Sequence, residues 1–179
     1  MRPGLTTLNA LAVAILVYGS VYKIASFIPE ISSYPFSLGW SEASRFYYAS
    51  TFLPEKIYGA WTPPSVLHPS RYLMQAVPFL VQDMPLWVHR AWQVFLWIST
   101  SLVTGILLGK RLGLQPGLYR ILFTCWAFLF LFQGPLYYHL LVMVMLVLWG
   151  FDRQHFWRSL VVVLLASAWA GISRINWLP

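Results

Sequence analysis

Four of the five carboxylates in the chain, Glu30, Glu42, Glu55 and Asp83, fall between residues 29 and 84. Any proton transfer on a substrate there must draw on that segment, and Asp152 stands apart from it. Glu42 is the most constrained of the four. In "SEASRFYYAS" it follows Ser41, a residue suited to a helix N-cap, and it precedes Arg45 by three positions, which puts both side chains on one helix face. A helix start and a neighbouring guanidinium both favour the ionised carboxylate, and an ionised carboxylate can accept the proton of a hydroxyl nucleophile. The same pair is also ordinary helix-start stabilisation. Residue types alone leave both readings open.

The elements that must position these groups are apolar. The chain is 59% hydrophobic and 9% charged, outside the range of soluble domains, which identifies an integral membrane protein. Its net charge of +7 does not point to nucleic acid, because the twelve Lys and Arg residues are scattered singly or in pairs and form no basic face for a phosphate backbone. The single cysteine, Cys125, allows no intrachain disulfide and reads as a small buried hydrophobe.

A spanning helix needs about 20 apolar residues. The runs 5–28 and 85–109 meet that length, and three shorter runs, 118–132, 136–151 and 157–172, complete an all-α polytopic bundle of five spans in one transmembrane domain. The first run is too long for a removed signal peptide and lacks a cleavage site, so it is expected to stay as a span. "QGP", residues 133 to 135, predicts a tight hairpin between the third and fourth runs. Lys110, Arg111, Arg120, Arg153 and Arg158 lie in two short loops, and Arg2 lies at the N-terminus. Basic short loops mark the cytoplasmic side, so the expected orientation in the cell membrane is N-terminus inside, with segment 29–84 extracytoplasmic.

That segment carries two helix signals. One starts at Ser41. The other starts at Pro69, a residue favoured at a first helical position, and Tyr72, Leu73, Ala76, Val77 and Leu80 then predict the apolar stripe of an interfacial helix. Pro54, Pro63 and Pro64 punctuate the connection between them. No internal repeat or low-complexity tract occurs.

In this topology Arg71, Arg90 and Arg174 lie at outer span ends or on the interfacial helix. They can neutralise a phosphate or anchor by snorkelling to lipid headgroups. His89 and His139 fall near the outer ends of their spans, where two imidazoles at similar depth could ligate a haem or pigment metal in a small membrane subunit, or simply hydrogen-bond.

The order of these features resembles the N-terminal part of the GT-C superfamily of polytopic glycosyltransferases, in particular the protein O-mannosyltransferase and aminoarabinose transferase branch. There a first span is followed by an Asp-Glu-Ala-x-x-Tyr-like motif at the start of a juxtamembrane helix. "SEASRFYYAS" is similar, with Glu42 at the acidic position and Tyr47 or Tyr48 at the aromatic one. A Lys/His-Pro-Pro-Leu-Tyr-like motif and a span entered through an Arg come next in those families. "LHPSRYLMQAVPFL" and "PLWVHRAWQ" put His68, Pro69, Tyr72 and Arg90 in the matching places. The resemblance covers roughly residues 5 to 110.

The resemblance implies transfer of a sugar from a polyprenyl-phosphate donor to an acceptor hydroxyl on the extracytoplasmic face. Glu42 is then the catalytic base, and Arg45, His68, Arg71, Tyr72, Arg90 and Arg174 are the substrate-binding set. The implied partners are membrane lipid and the lipid-linked sugar, with no nucleic acid. No cofactor is specified beyond a divalent metal that the family pattern allows. Ser41 stands where the family has a second acidic residue, and "PSR" replaces Pro-Pro-Leu. Five spans and the absence of a terminal domain lead to the expectation that the sequence is an N-terminal portion of a longer protein or a reduced relative. The competing function is a non-catalytic membrane subunit or scaffold, with His89 and His139 as haem or pigment ligands. The sugar, lipid, acceptor and oligomeric state are not encoded in these motifs.

Overall fold

The computed structural model describes residues 7–39, 41–65, 67–134 and 136–173, and these form an all-helical protein with no strand among them. Eight α-helices follow in order: α1 (Thr7–Ala25), α2 (Glu42–Ser50), α3 (Pro54–Tyr58), α4 (Pro69–Gln75), α5 (Leu86–Arg111), α6 (Leu118–Phe132), α7 (Tyr138–Gly150) and α8 (Phe156–Ser173). Two 3-10 turns, Ile28–Glu30 and Val77–Leu80, follow α1 and α4. Arg2 and Arg174 lie outside the described residues.

Three segments are long and apolar enough to cross a membrane: Thr7–Glu30, Leu86–Arg111 and Phe156–Ser173. The helices α6 and α7 have 15 and 13 residues. At about 1.5 Å per residue each spans about 20 Å, less than the roughly 30 Å of a bilayer core.

The long helix α5 is the centre of the bundle, with α6 on one side and α7 on the other; α1 packs outside α6, and α8 packs outside α7. This corrects the expectation of a tight hairpin at "QGP". The pair α6 and α7 is not among the well-packed helix pairs, because both dock on α5. The reason lies in the small residues of α5. Ser101, Gly105 and Gly109 recur every four residues and are all buried, a spacing that lets backbones approach. A Cβ at Gly105 would stand 3.3 Å from the Thr124 carbonyl oxygen and 3.4 Å from the Ala127 Cβ. Thr100 and Thr104 satisfy their buried hydroxyls on the carbonyls four residues back, at 2.7 Å each.

The helix ends sort by chemistry. At one end Arg111 donates to the Phe151 carbonyl at 2.8 Å, and Asp152 accepts the Gln154 N–H at 2.9 Å and pairs with His155. The other end carries the short helices α2, α3 and α4, with α4 touching α2, α5, α7 and α8.

The helix signalled by Pro69 is shorter than its pattern suggests. Pro78 lacks an amide donor, and α4 stops at Gln75 before the chain tightens into a 3-10 turn. The expected stripe therefore splits. Tyr72 and Ala76 turn into the bundle and are buried, while Leu73, Val77 and Leu80 are exposed. The punctuated connection also holds the unexpected helix α3, which starts on Pro54 and ends on Gly59 at φ 65°, a left-handed stop that favours glycine.

Candidate functional site

Glu42 occupies the first turn of α2, with Ser41 at the N-cap as expected, but the Ser41 side chain makes no capping bond. The carboxylate takes its hydrogen bonds from Arg90 and the backbone and none from Arg45. Its oxygens accept the Arg90 Nε–H at 2.8 Å, an Arg90 Nη2–H at 3.0 Å and the Leu38 backbone N–H at 2.7 Å. This is a bidentate pair between the start of α2 and the start of α5, with Glu42 6% and Arg90 3% exposed. Burial alone pushes the Glu42 carboxyl up. The Arg90 hydrogen bonds, the Leu38 N–H and the charges of Arg90 and Arg45 outweigh it and leave the group below the usual carboxylate value, hence ionised at neutral pH.

Arg90 has little left for a ligand. Beyond Glu42, its Nη1 donates to the carbonyls of Ser32 and Tyr34 at 2.7 and 2.8 Å and to the Ser32 hydroxyl at 3.2 Å, and its Nη2 donates to the Phe36 carbonyl at 2.9 Å. A guanidinium has five N–H donors. All sides of this one are spent on stapling residues 32–38 to the top of α5.

Glu42, Arg45 and Arg90 nevertheless share one cavity of about 360 Å³ with Phe27, Glu30, Leu38, Gly39, Gln93, Val94 and Trp97. It opens where α1 ends and α5 begins. The volume is at the small end of ligand pockets. Arg45 is half-buried, and its Nε donates to the Ser41 carbonyl at 3.2 Å. Burial first, and then the charge of Arg71, hold Arg45 below the ordinary guanidinium value, so two guanidiniums lie within electrostatic reach of each other. Arg71 lies 6.0 Å from the Tyr137 ring centre, and its backbone carbonyl meets the Tyr138 hydroxyl at 3.5 Å.

His68 and Tyr72 lie at the N-cap of α4 and within it, away from the lining of this cavity. His68 is the N-cap of α4 at φ 52°, its carbonyl accepts the N–H groups of Arg71 and Tyr72, and its Nδ1 lies 3.1 Å from the Ser173 carbonyl. Tyr72 is buried with its ring 5.2 Å from that of Tyr48. Arg174 lies outside the described residues. The structure thus brings Glu42, Arg45 and Arg90 together, leaves Arg71 outside the cavity lining but within electrostatic reach of Arg45, and places His68 and Tyr72 where α4 meets α8 and α2.

The two histidines considered as metal ligands have separate neighbours. His89 packs between Phe46 and Phe79 at 5.7 and 4.3 Å, and His139 packs against His68, Tyr137 and Tyr138 at 5.6 to 5.8 Å. Among the described residues no group of three or more His, Cys, Asp or Glu could hold a metal ion.

Sequence reasoning passed over Glu30, Gln93 and Trp97 as lining residues. The signal was present in α5, where Arg90, Gln93 and Trp97 fall at helical spacing i, i+3, i+7 and so share one face. No protein-family model, curated protein or solved structure matches the chain.

Proposed function

We propose that this chain is a multi-pass membrane glycosyltransferase, or the part of one, that moves a sugar from a polyprenyl-phosphate donor to an acceptor hydroxyl on the extracytoplasmic face. The supporting observation is the cavity at the outer ends of α1 and α5, where the ionised carboxylate of Glu42 and the cation of Arg45 face one space. A lipid phosphate sits at headgroup depth while the acceptor arrives from water, so a base and cations converging at the end of apolar helices suit that chemistry. In this reading α1, α5 and α8 cross the bilayer and the shorter α6 and α7 cross with them, the N-terminus is cytoplasmic, and α2 to α4 lie on the outer surface.

The step is one displacement. The acceptor oxygen forms a bond to the anomeric carbon, the bond from that carbon to the phosphate oxygen breaks, and its electron pair leaves with the lipid phosphate. The acceptor proton passes to the Glu42 carboxylate, and the anomeric configuration inverts. Because the donors of Arg90 are engaged, the charge on the leaving phosphate falls to Arg45 and Arg71, while Arg90 positions Glu42.

The test is turnover of a panel of polyprenyl-phosphate sugars by the purified chain in proteoliposomes, for wild type and Glu42→Gln, with the folded fraction measured in parallel. Loss of a general base lowers turnover by about 10²-fold or more. Unchanged turnover by folded Glu42→Gln would remove Glu42 from the mechanism.

A further inference from the structure

Three side-chain atoms near this cavity are fully buried and have no hydrogen-bond partner: Arg71 Nε, Gln75 Oε1 and Trp97 Nε1. Native proteins leave few such groups, and each needs an explanation, a bound water or ligand among them. The three belong to one place. Arg71 and Gln75 are one turn apart on α4, and Gln93 and Trp97 are one turn apart on α5. Gln75 Nε2 donates to Gln93 Oε1 at 3.4 Å, the long limit for a hydrogen bond, and the Trp97 ring lies 5.9 Å from that of Tyr138, whose hydroxyl faces Arg71. Gln93 and Trp97 also line the cavity of Glu42 and Arg45. The orphaned groups therefore lie in and just behind one wall of that cavity.

Their chemistry selects among occupants. Two are donors, the N–H groups of Arg71 and Trp97, and one is an acceptor, the Gln75 carbonyl. A lipid tail satisfies none of them. The phosphodiester of a lipid-linked sugar has only acceptors to offer and opposes the Gln75 oxygen. A ring carrying several hydroxyls, each both donor and acceptor, satisfies both kinds, and the indole of Trp97 gives it an apolar wall. Of the α5 side chains lining the cavity, Gln93, Val94 and Trp97 are neutral, and the charge of the fourth, Arg90, is already paired with Glu42.

We propose that Gln93 and Trp97, backed by Gln75 and Arg71, form the subsite for the ring of a neutral polyhydroxylated sugar, beside the phosphate position at Arg45. This rests on the glycosyltransferase reading and extends it to the sugar class. Gln93 acts as the movable member, exchanging its long bond with Gln75 for a sugar hydroxyl when the ring enters.

The test is binding to the full chain in lipid nanodiscs of three probes: citronellyl-phosphoryl-mannose, citronellyl-phosphoryl-glucose and citronellyl phosphate without sugar. Wild type is expected to bind at least one sugar-bearing probe about tenfold or more tightly than citronellyl phosphate. Gln93→Met is expected to reduce that preference to less than about threefold. Deoxy analogues of the preferred probe, measured on wild type, keep the test decisive if Gln93→Met fails to fold, since removal of one hydroxyl should lower affinity about tenfold. Equal binding of all probes by wild type, no loss with any deoxy analogue, or a preference that survives in folded Gln93→Met overturns the sugar subsite and leaves the phosphate site standing. Binding of none of the probes overturns both.

Discussion

The guanidinium of Arg90 holds the carboxylate of Glu42 in a bidentate pair at 2.8 and 3.0 Å across 48 residues of sequence. The same guanidinium gathers the carbonyls of Ser32, Tyr34 and Phe36. One residue at the head of α5 therefore orients the candidate base and fixes the segment that roofs its cavity.

Breaking a buried pair strands a charge, whereas replacing both partners does not. Arg90→Leu alone is expected to destabilise the protein by about 3–5 kcal/mol, and Arg90→Leu with Glu42→Leu to recover a large part of that loss. A double-mutant cycle on reversible denaturant unfolding in detergent measures the coupling. Additive losses would show that the pair does not join α2 to α5.

The depressed Glu42 pKa gives the pair a pH dependence of known sign. A carboxylate whose folded pKa is below its unfolded value of 4.5 contributes stability that is fully present above that value and is lost as the pH falls through the folded pKa. The stability gap between wild type and Glu42→Gln should be constant from about pH 6 to 8 and narrow below about pH 4.5. Thermal unfolding of both proteins across that range reads it, and a gap that widens on acidification would reverse the assignment.

The close contact of α5 and α6 rests on Gly105. Gly105→Leu drives a side chain into the Thr124 carbonyl and Ala127, and overpacking of this kind costs about 1–3 kcal/mol. Gly171, whose added Cβ would meet nothing within 4 Å, is the control, and Gly171→Leu should unfold within about 0.5 kcal/mol of wild type. Equal losses at the two sites would deny the packing order of α6, α5 and α7.

Topology is open to labelling. In a Cys125→Ala background, a cysteine at exposed Ser44 should react with an impermeant maleimide from outside sealed cells, and one at exposed Gln154 only after the inner face is opened. Labelling of both from one side would contradict the placement of α2 and the α7–α8 turn at opposite ends.

Much of the helix plan was readable from run lengths: each apolar run became a helix, with ends shifted by only a few residues in most cases. Periodicity reports where a helix is and which face is apolar. It does not report which neighbour covers that face, and so the hairpin at "QGP" was misread while the small-residue spacing at Ser101, Gly105 and Gly109 decided the packing. The site shows the same division. Glu42 and Arg45 stood out as local neighbours, yet the partner that holds Glu42 is Arg90, 48 positions away, and no local pattern pairs them. His68 and Tyr72 stand out by motif position, and their neighbours, the Ser173 carbonyl and the Tyr48 ring, come from parts of the chain that no local pattern names.

The central claim is that Arg45 takes the charge of a leaving lipid phosphate, and the direct measurement is single-turnover release of polyprenyl phosphate from its sugar ester by wild type and Arg45→Gln in proteoliposomes. Arg45 lies outside the Glu42–Arg90 bonds, so Arg45→Gln should remain folded, with an apparent Tm close to wild type. Removing one preorganised donor to a developing anion costs about 10² to 10³ in rate. A loss of that size in folded Arg45→Gln is the expected result, and release at the wild-type rate, or no release by wild type from any donor in the panel, would contradict it.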